Sequence, residues 1–305
     1  MFKHLLIFFM FMGINLSAQD IISSAPADFD IFNPDVAHGI LDTISYTSST
    51  VGTERNAVIY TTPDFSENKK YPVLYLLHGI GGDAFEWLNN GNPQHILDNL
   101  YAAGKISPMI VVMPNGRAME DDRATGNIMA PDKVEAFSTF EDDLLKDLIP
   151  YIEKNFPVLA ERDQRALAGL SMGGGQSLNF GLGNMDIFGW VGAFSAAPNT
   201  KAPEVLLPSA AEAKRLKLLW ISCGDQDNLL SFSKRTHDYL AKYEIPHIYY
   251  IEPGAHDFKV WKNDLFLFSQ LLFKPLEPSI FSTFKTAENK EKFSSEMSLK
   301  DAFLG

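Results

Sequence analysis

The chain has little cysteine, little positive charge and no long apolar stretch past its first residues, and each shortage removes a class of explanation. One cysteine, Cys223, stands among 305 residues. An internal disulfide is therefore impossible, and the fold must be held by a core rather than by cross-links. With 46% hydrophobic residues, the chain has the side chains for such a core. Lys and Arg number 26 against 38 Asp and Glu, a formal charge of −12. No basic stripe interrupts that balance, so nucleic acid is not an expected partner. No Cys/His spacing suits zinc, and no Gly-Lys-Ser/Thr loop suits a nucleotide phosphate. Neither a metal nor an organic cofactor is expected. Cys223 closes the apolar run Leu218 to Ser222 and reads as a small buried residue, not a nucleophile.

What is present begins with an export pattern. Lys3 and His4 precede an apolar run from Leu5 to Leu16, followed by Ser17 and Ala18. Residues 1–18 read as a cleavable signal peptide, which predicts a secreted or periplasmic protein. No later run approaches the roughly 20 apolar residues of a membrane helix. Residues 19–40 read as an irregular arm, 41–273 as one catalytic domain, and 274–305 as a loosely packed extension.

Within 41–273 the pattern alternates. Leu41 to Thr47 and Arg55 to Thr61 read as two strands joined by a turn. Pro72 to Leu77, Met109 to Met113, Arg165 to Leu170, Val191 to Phe194, Leu218 to Ser222 and Ile248 to Ile251 are short apolar runs suited to strands buried on both faces. Helical spacing lies between them at Pro93 to Ala103 and in a helix reaching about Asn155, which Ser138 and Glu141 would open as a capping box. Val260 to Phe273 closes the series. This order predicts an α/β fold, a mostly parallel sheet with helices on both faces.

The chemistry concentrates at strand ends. Gly169-Leu170-Ser171-Met172-Gly173 follows a predicted strand and opens a predicted helix, the context of a nucleophile elbow. A serine hydroxyl needs a base, and in this fold the order is nucleophile, acid, histidine. After Ser171 come His237, which falls mid-helix and reads as a surface residue, His247, which starts a strand, and His256, in the loop after the last strand. His256 is the expected base. Asp225 and Asp227, at the end of the preceding strand, are both candidates for the acid that orients it, the other being a loop-capping residue. Asp257 reads as a solvated loop residue. Two backbone N–H groups must hold the oxyanion. Met172 supplies one. The loop His78-Gly79-Ile80-Gly81-Gly82-Asp83 supplies the other, with Ile80 preferred and Gly79 close behind, and His78 reads as a structural hydrogen-bonding residue.

Tyr71 to Gly79, Gly169 to Gly175, Cys223-Gly224 with Asp227, and Gly254-Ala255-His256-Asp257 together resemble the first family of carbohydrate esterases. The likeness is to the feruloyl esterase modules of bacterial xylanases and spans about Leu41 to Phe273. It implies the α/β-hydrolase fold, Asp227 as the acid, and feruloyl or acetyl side chains of plant xylan as the substrate. Gly81-Gly82 stands where S-formylglutathione hydrolases, similar in fold, carry a cysteine. Phe85, Trp87 and the segment Asn115 to Asp132 are the expected pocket lining, although both aromatics fit ordinary core packing equally well. An aromatic acyl group would need a flat apolar slot, and acetate only a small one. An acyltransferase, or a binding protein that kept the fold without the chemistry, are the competing readings.

Overall fold

The computed structural model describes residues 23–207 and 209–284. The expected signal peptide, and residues 285–305 of the expected extension, lie outside the described residues. The chain forms an eight-stranded sheet: β1 (Ile40–Ser48), β2 (Thr53–Thr61), β3 (Val73–Leu77), β4 (Ile110–Pro114), β5 (Arg165–Leu170), β6 (Trp190–Phe194), β7 (Leu218–Gly224) and β8 (Ile248–Glu252). Their order is β1-β2-β4-β3-β5-β6-β7-β8. β2 is antiparallel to both β1 and β4, and every other pairing is parallel.

The central strands are buried on both faces because helices cover both. Leu74 and Leu76 of β3 and Val111 of β4 join one core with Trp87, Ile96, Leu100, Leu265 and Phe268. These come from α1 (Glu86–Gly91), α2 (Pro93–Ala102) and α8 (Phe258–Ser269). The alternate residues Tyr75, Leu77 and Val112 face Phe140, Leu148, Ile152 and Phe180. Those belong to α3 (Pro131–Asp143), the π-helical turn Leu144–Leu148, α4 (Ile149–Asn155) and α5 (Met172–Gly183). Farther along this face, Leu240 of α7 (Leu230–Lys242) packs with Leu178 and Ile221. The short α6 (Pro203–Leu206) and α9 (Ile280–Thr283) complete the chain.

Three local expectations need correction. Ser138 does not open a helix: α3 starts at Pro131, with Ala130 in the capping position, and Ser138 is an exposed interior residue. Glu141 instead accepts a hydrogen bond from Asn184 Nδ2 at 2.8 Å. The closing helix starts earlier than Val260 because Asp257 caps it, accepting from the N–H groups of Lys259 and Val260. The extension is not loosely packed where described. Phe284 is buried, with its ring 5.1 Å from that of Trp220, and Ile280 is buried in the same core. The N-terminal arm is irregular, yet Phe29 packs 5.2 Å from Phe266 and its carbonyl accepts from Asn99 Nδ2.

Candidate active site

β3 pairs with β4 on one side and with β5 on the other. Strand order thus reverses between β3 and β5, which opens a crevice beyond their carboxyl ends. Leu77 pairs with Gly169, so the loops leaving these two strands start side by side. One is the His78–Asp83 loop and the other is the turn at Ser171.

That turn is strained. Ser171 has φ 52° and ψ −115°, a conformation costly for any residue with a side chain. Its geometry leaves no room for side chains on either flank. A Cβ on Gly169 would lie 2.8 Å from the backbone of Gly173, and one on Gly173 would lie 2.6 Å from the carbonyl oxygen of His78. The strain is held by hydrogen bonds from Ser171 N–H to Phe194 C=O (2.9 Å) and from Gly175 and Ala197 N–H to Ser171 C=O (3.0 and 3.1 Å). Ser171 therefore stands at the positive end of α5, whose first N–H, that of Met172, has no acceptor among the described residues.

The structure brings Ser171, His256 and Asp227 into one chain of hydrogen bonds. Ser171 Oγ lies 2.9 Å from His256 Nε2, and His256 Nδ1 lies 2.7 Å from Asp227 Oδ2. The strand ends make this possible, because Gly224 of β7 pairs with Glu252 of β8 and the two loops leave together. Asp227 Oδ1 accepts the N–H of Leu229 at 2.7 Å. Burial pushes the Asp227 carboxyl upward, but the hydrogen bonds from His256, Leu229 N–H and the Ser195 hydroxyl outweigh it and hold the group below the ordinary carboxylate value. Asp227 is thus an anion facing the imidazole. Asp225 is not part of this chain, and its Oδ1 accepts the N–H of Gly254, tying the two loops together (3.0 Å). Trp261 meets the imidazole edge-on at 4.9 Å and limits its rotation.

His78 is fully buried, and burial lowers its imidazole to about 4, so it is neutral. Its Nδ1 lies 2.6 Å from Gly79 C=O, and its Nε2 accepts Gly116 N–H at 2.8 Å. The N–H of Gly79 is donated to Glu86 Oε2 at 2.7 Å. The N–H of Ile80 has no acceptor among the described residues. The loop passes close to Ser171, since a Cβ on Gly79 would lie 3.4 Å from Ser171 Cβ. Ile80 and Met172, the two donors expected from the sequence, thus both keep an N–H without an acceptor among the described residues.

Other expected residues sit elsewhere. Trp87 does not line the crevice: it is 1% exposed, donates Nε1–H to Leu77 C=O at 3.0 Å, and packs against Phe194 and Phe258. Phe85 is 40% exposed and free to meet a ligand. Beside Ser171, Phe137, Met172 and Ala197 form a small apolar cluster with Ile80, Val134 and Leu229 at its half-buried edge. From the segment Asn115 to Asp132, Arg117 is buried and holds the carbonyls of Ile80, Gly82 and Asp122. His237 is half-buried: it stacks on Tyr249 at 3.9 Å, and its Nδ1 lies 2.7 Å from His247 Nε2, away from the Ser171 site. Cys223 is buried, and burial raises its thiol far above the ordinary value. Val134, Leu229, Glu86, Arg117 and Trp261 carried no motif in the sequence. Arg117 lies three residues past the apolar strand β4, inside the segment Asn115 to Asp132 expected to line the pocket.

Among the described residues, no cluster of three or more His, Cys, Asp or Glu could hold a metal, and no helix is long and apolar enough to cross a membrane. Comparison with known proteins follows the same lines. Residues 48–270 match the family model Esterase, described as "Putative esterase". The chain is 33% identical over 267 residues to an endo-1,4-beta-xylanase/feruloyl esterase of Xylanibacter ruminicola, covering 86% of this chain and 34% of that protein. It thus spans about a third of that relative's length. A ferulic acid esterase from Anaeromyces mucronatus in complex with ferulic acid superposes with a TM-score of 0.74 and 27% identity, over 84% of this chain and 99% of that one. An S-formylglutathione hydrolase from Staphylococcus aureus shares the fold at a TM-score of 0.61 and 24% identity, over 77% and 96% of the two chains.

Proposed function

The chain belongs to the Esterase family of α/β-hydrolases, and from that premise we propose that it is a serine carboxylesterase releasing feruloyl groups from plant cell-wall xylan. The observation that carries the proposal is the connected set Ser171–His256–Asp227, closed by distances of 2.9 and 2.7 Å. His256 Nε2 takes the hydroxyl proton as Ser171 Oγ attacks the ester carbonyl. Negative charge then develops on the carbonyl oxygen, where the N–H groups of Ile80 and Met172 receive it. Asp227 balances the imidazolium, which returns its proton to the departing sugar hydroxyl. A water molecule, deprotonated by the same histidine, then attacks the acyl-serine and frees the carboxylic acid. The half-buried apolar edge formed by Ile80, Val134 and Leu229 supports an aromatic acyl group at this position.

The xylan substrate, the feruloyl preference and the export of the protein are parts of this reading. Methyl ferulate and acetylated xylan, offered side by side to wild type and to Ser171→Ala, test it. Ferulate release by wild type and none by the variant is the expected result. Acetate release alone would keep the mechanism and move the substrate to acetyl groups. A wild type that cleaves neither, nor an aryl acetate, returns the chain to the binding-protein reading. Added acceptor alcohol distinguishes hydrolysis from acyl transfer by the products formed. A mature N-terminus near Gln19 in the culture medium or periplasm would support export.

A further inference from the structure

Three consecutive peptide planes in the oxyanion loop are each held by a different side chain. The plane joining His78 to Gly79 donates its N–H to Glu86 Oε2 (2.7 Å). The next, from Gly79 to Ile80, has its carbonyl against His78 Nδ1 (2.6 Å). The third has the carbonyl of Ile80 against the Arg117 guanidinium. In a trans peptide the carbonyl and the N–H point in opposite directions. Holding the Gly79 carbonyl toward His78 therefore turns the Ile80 N–H away from it. Glu86 is the one of the three that is half-buried rather than buried. Room has been made for it: a Cβ on Gly82 would lie 2.4 Å from the Glu86 carboxyl carbon.

Resting on the esterase reading above, we propose that Glu86 is a positioning residue for the oxyanion hole. It anchors Gly79 N–H so that the neighbouring Ile80 N–H alone is presented to the reacting carbonyl oxygen. Without that acceptor, Gly79 N–H is a competing donor in the same loop and the Ile80 plane is free to tilt. Preorganised donors contribute because they need no reorganisation as charge develops, so a tilted donor lowers the rate without weakening substrate binding. The role needs an acceptor oxygen at this point, not a charge. The charged or titratable groups facing Glu86 are Asp83 from its own loop, Arg117 from beyond β4 and His256 from beyond β8. Arg117 offsets the carboxylate's effect on the nearby oxyanion.

The test compares Glu86→Ala and Glu86→Gln on an aryl acetate and on methyl ferulate. The alanine variant should lose about tenfold or more in kcat with KM little changed. It should lose affinity in the same proportion for an aryl boronic acid, which mimics the tetrahedral intermediate. The glutamine variant, whose amide oxygen still accepts Gly79 N–H, should recover most of both. If the alanine variant does not fold, Glu86→Asp takes its place, because its reach is shorter by about 1.5 Å and kcat should fall while the charge remains. Unchanged kcat in Ala or Asp overturns the proposal, as does a glutamine variant as slow as alanine. A wild type inert toward aryl acetate overturns the esterase reading and this proposal with it. An active wild type silenced by Ser171→Ala but indifferent to Glu86→Ala overturns this proposal alone.

Discussion

Replacing Asp227 by Asn changes one oxygen to nitrogen and leaves the shape of the side chain as it was. The hydrogen bonds decide which way the new amide faces. Oδ1 of Asp227 accepts Leu229 N–H at 2.7 Å, and only an oxygen can keep that bond. The amide nitrogen must then face His256 Nδ1, where Asp227 Oδ2 now sits at 2.7 Å. Two N–H groups cannot face each other, so the imidazole shifts its proton to Nε2. That nitrogen is the one 2.9 Å from Ser171 Oγ, and in this tautomer it has no lone pair to take the serine proton. A change of this kind in a Ser-His-Asp site lowers kcat by about 10⁴-fold, or roughly 5.4 kcal/mol of transition-state stabilisation. Asp225→Asn is the matched control. Its Oδ1 accepts Gly254 N–H at 3.0 Å, which the asparagine oxygen preserves, so activity should stay within about threefold of wild type. Initial rates on an aryl acetate near pH 8, with thermal melts confirming that both variants fold, measure the contrast. Retention by Asp227→Asn of more than a tenth of the wild-type kcat would refute this reasoning. Equal losses in the two variants would refute it too.

Three further outcomes follow from burial and exposure. Trp87→Ala should cost about 3–5 kcal/mol of stability, read as a lower urea midpoint, because it empties a fully buried site and leaves Leu77 C=O without its donor. Phe85→Ala, at an exposed position, should cost under about 1 kcal/mol and change KM for methyl ferulate instead; the reverse pattern would restore Trp87 to the pocket. Asp264 is fully buried, with no hydrogen bond of standard geometry to either carboxyl oxygen, and burial together with the neighbouring Glu252 holds it well above the ordinary carboxylate range. Burial also raises Glu252 to about 7. A carboxyl raised on folding adds stability below its ordinary value near about 4, and that stability is lost as pH rises through the folded value. Asp264→Asn should therefore gain stability relative to wild type as pH increases from 5 to 9, and a difference that is flat with pH would count against a protonated Asp264.

The sequence made the sheet legible because its central strands are buried on both faces. Leu74-Tyr75-Leu76-Leu77 has no alternation to misread, since Leu74 and Leu76 enter one core while Tyr75 and Leu77 enter the other. The capping box at Ser138 failed because its spacing of three is also a helical repeat. A serine and a glutamate on the exposed side of a helix interior satisfy it as well as a true start does. Pro131, seven residues earlier, carried the better signal, with its fixed φ and missing N–H suited to a first helical turn. Asp257 is the solvated loop residue expected, and its side chain also caps α8, which is why that helix starts before Val260.

The site itself divides along the same physical line. Ser171 was legible because the constraint on it is local: glycines on both sides of a strained residue, between a strand and a helix, leave a signature within five positions. Glu86 and Arg117 have no such signature, because their partners are set by topology. Arg117 reaches Ile80 only because β4 lies beside β3, and β3 can carry the loop past Ser171 only because it also pairs with β5. Trp87 shows the same limit. An aromatic near an oxyanion loop suits a pocket or a core equally well until the direction of its indole N–H is known, and here it points at the β3 backbone. That Ser171 and His256 come together was therefore readable from sequence, while the residues around them depended on which strands became neighbours. Substrate preference should be sought among those parts, at Ile80, Val134, Leu229 and Phe85, rather than at the triad, which any acyl group would use alike.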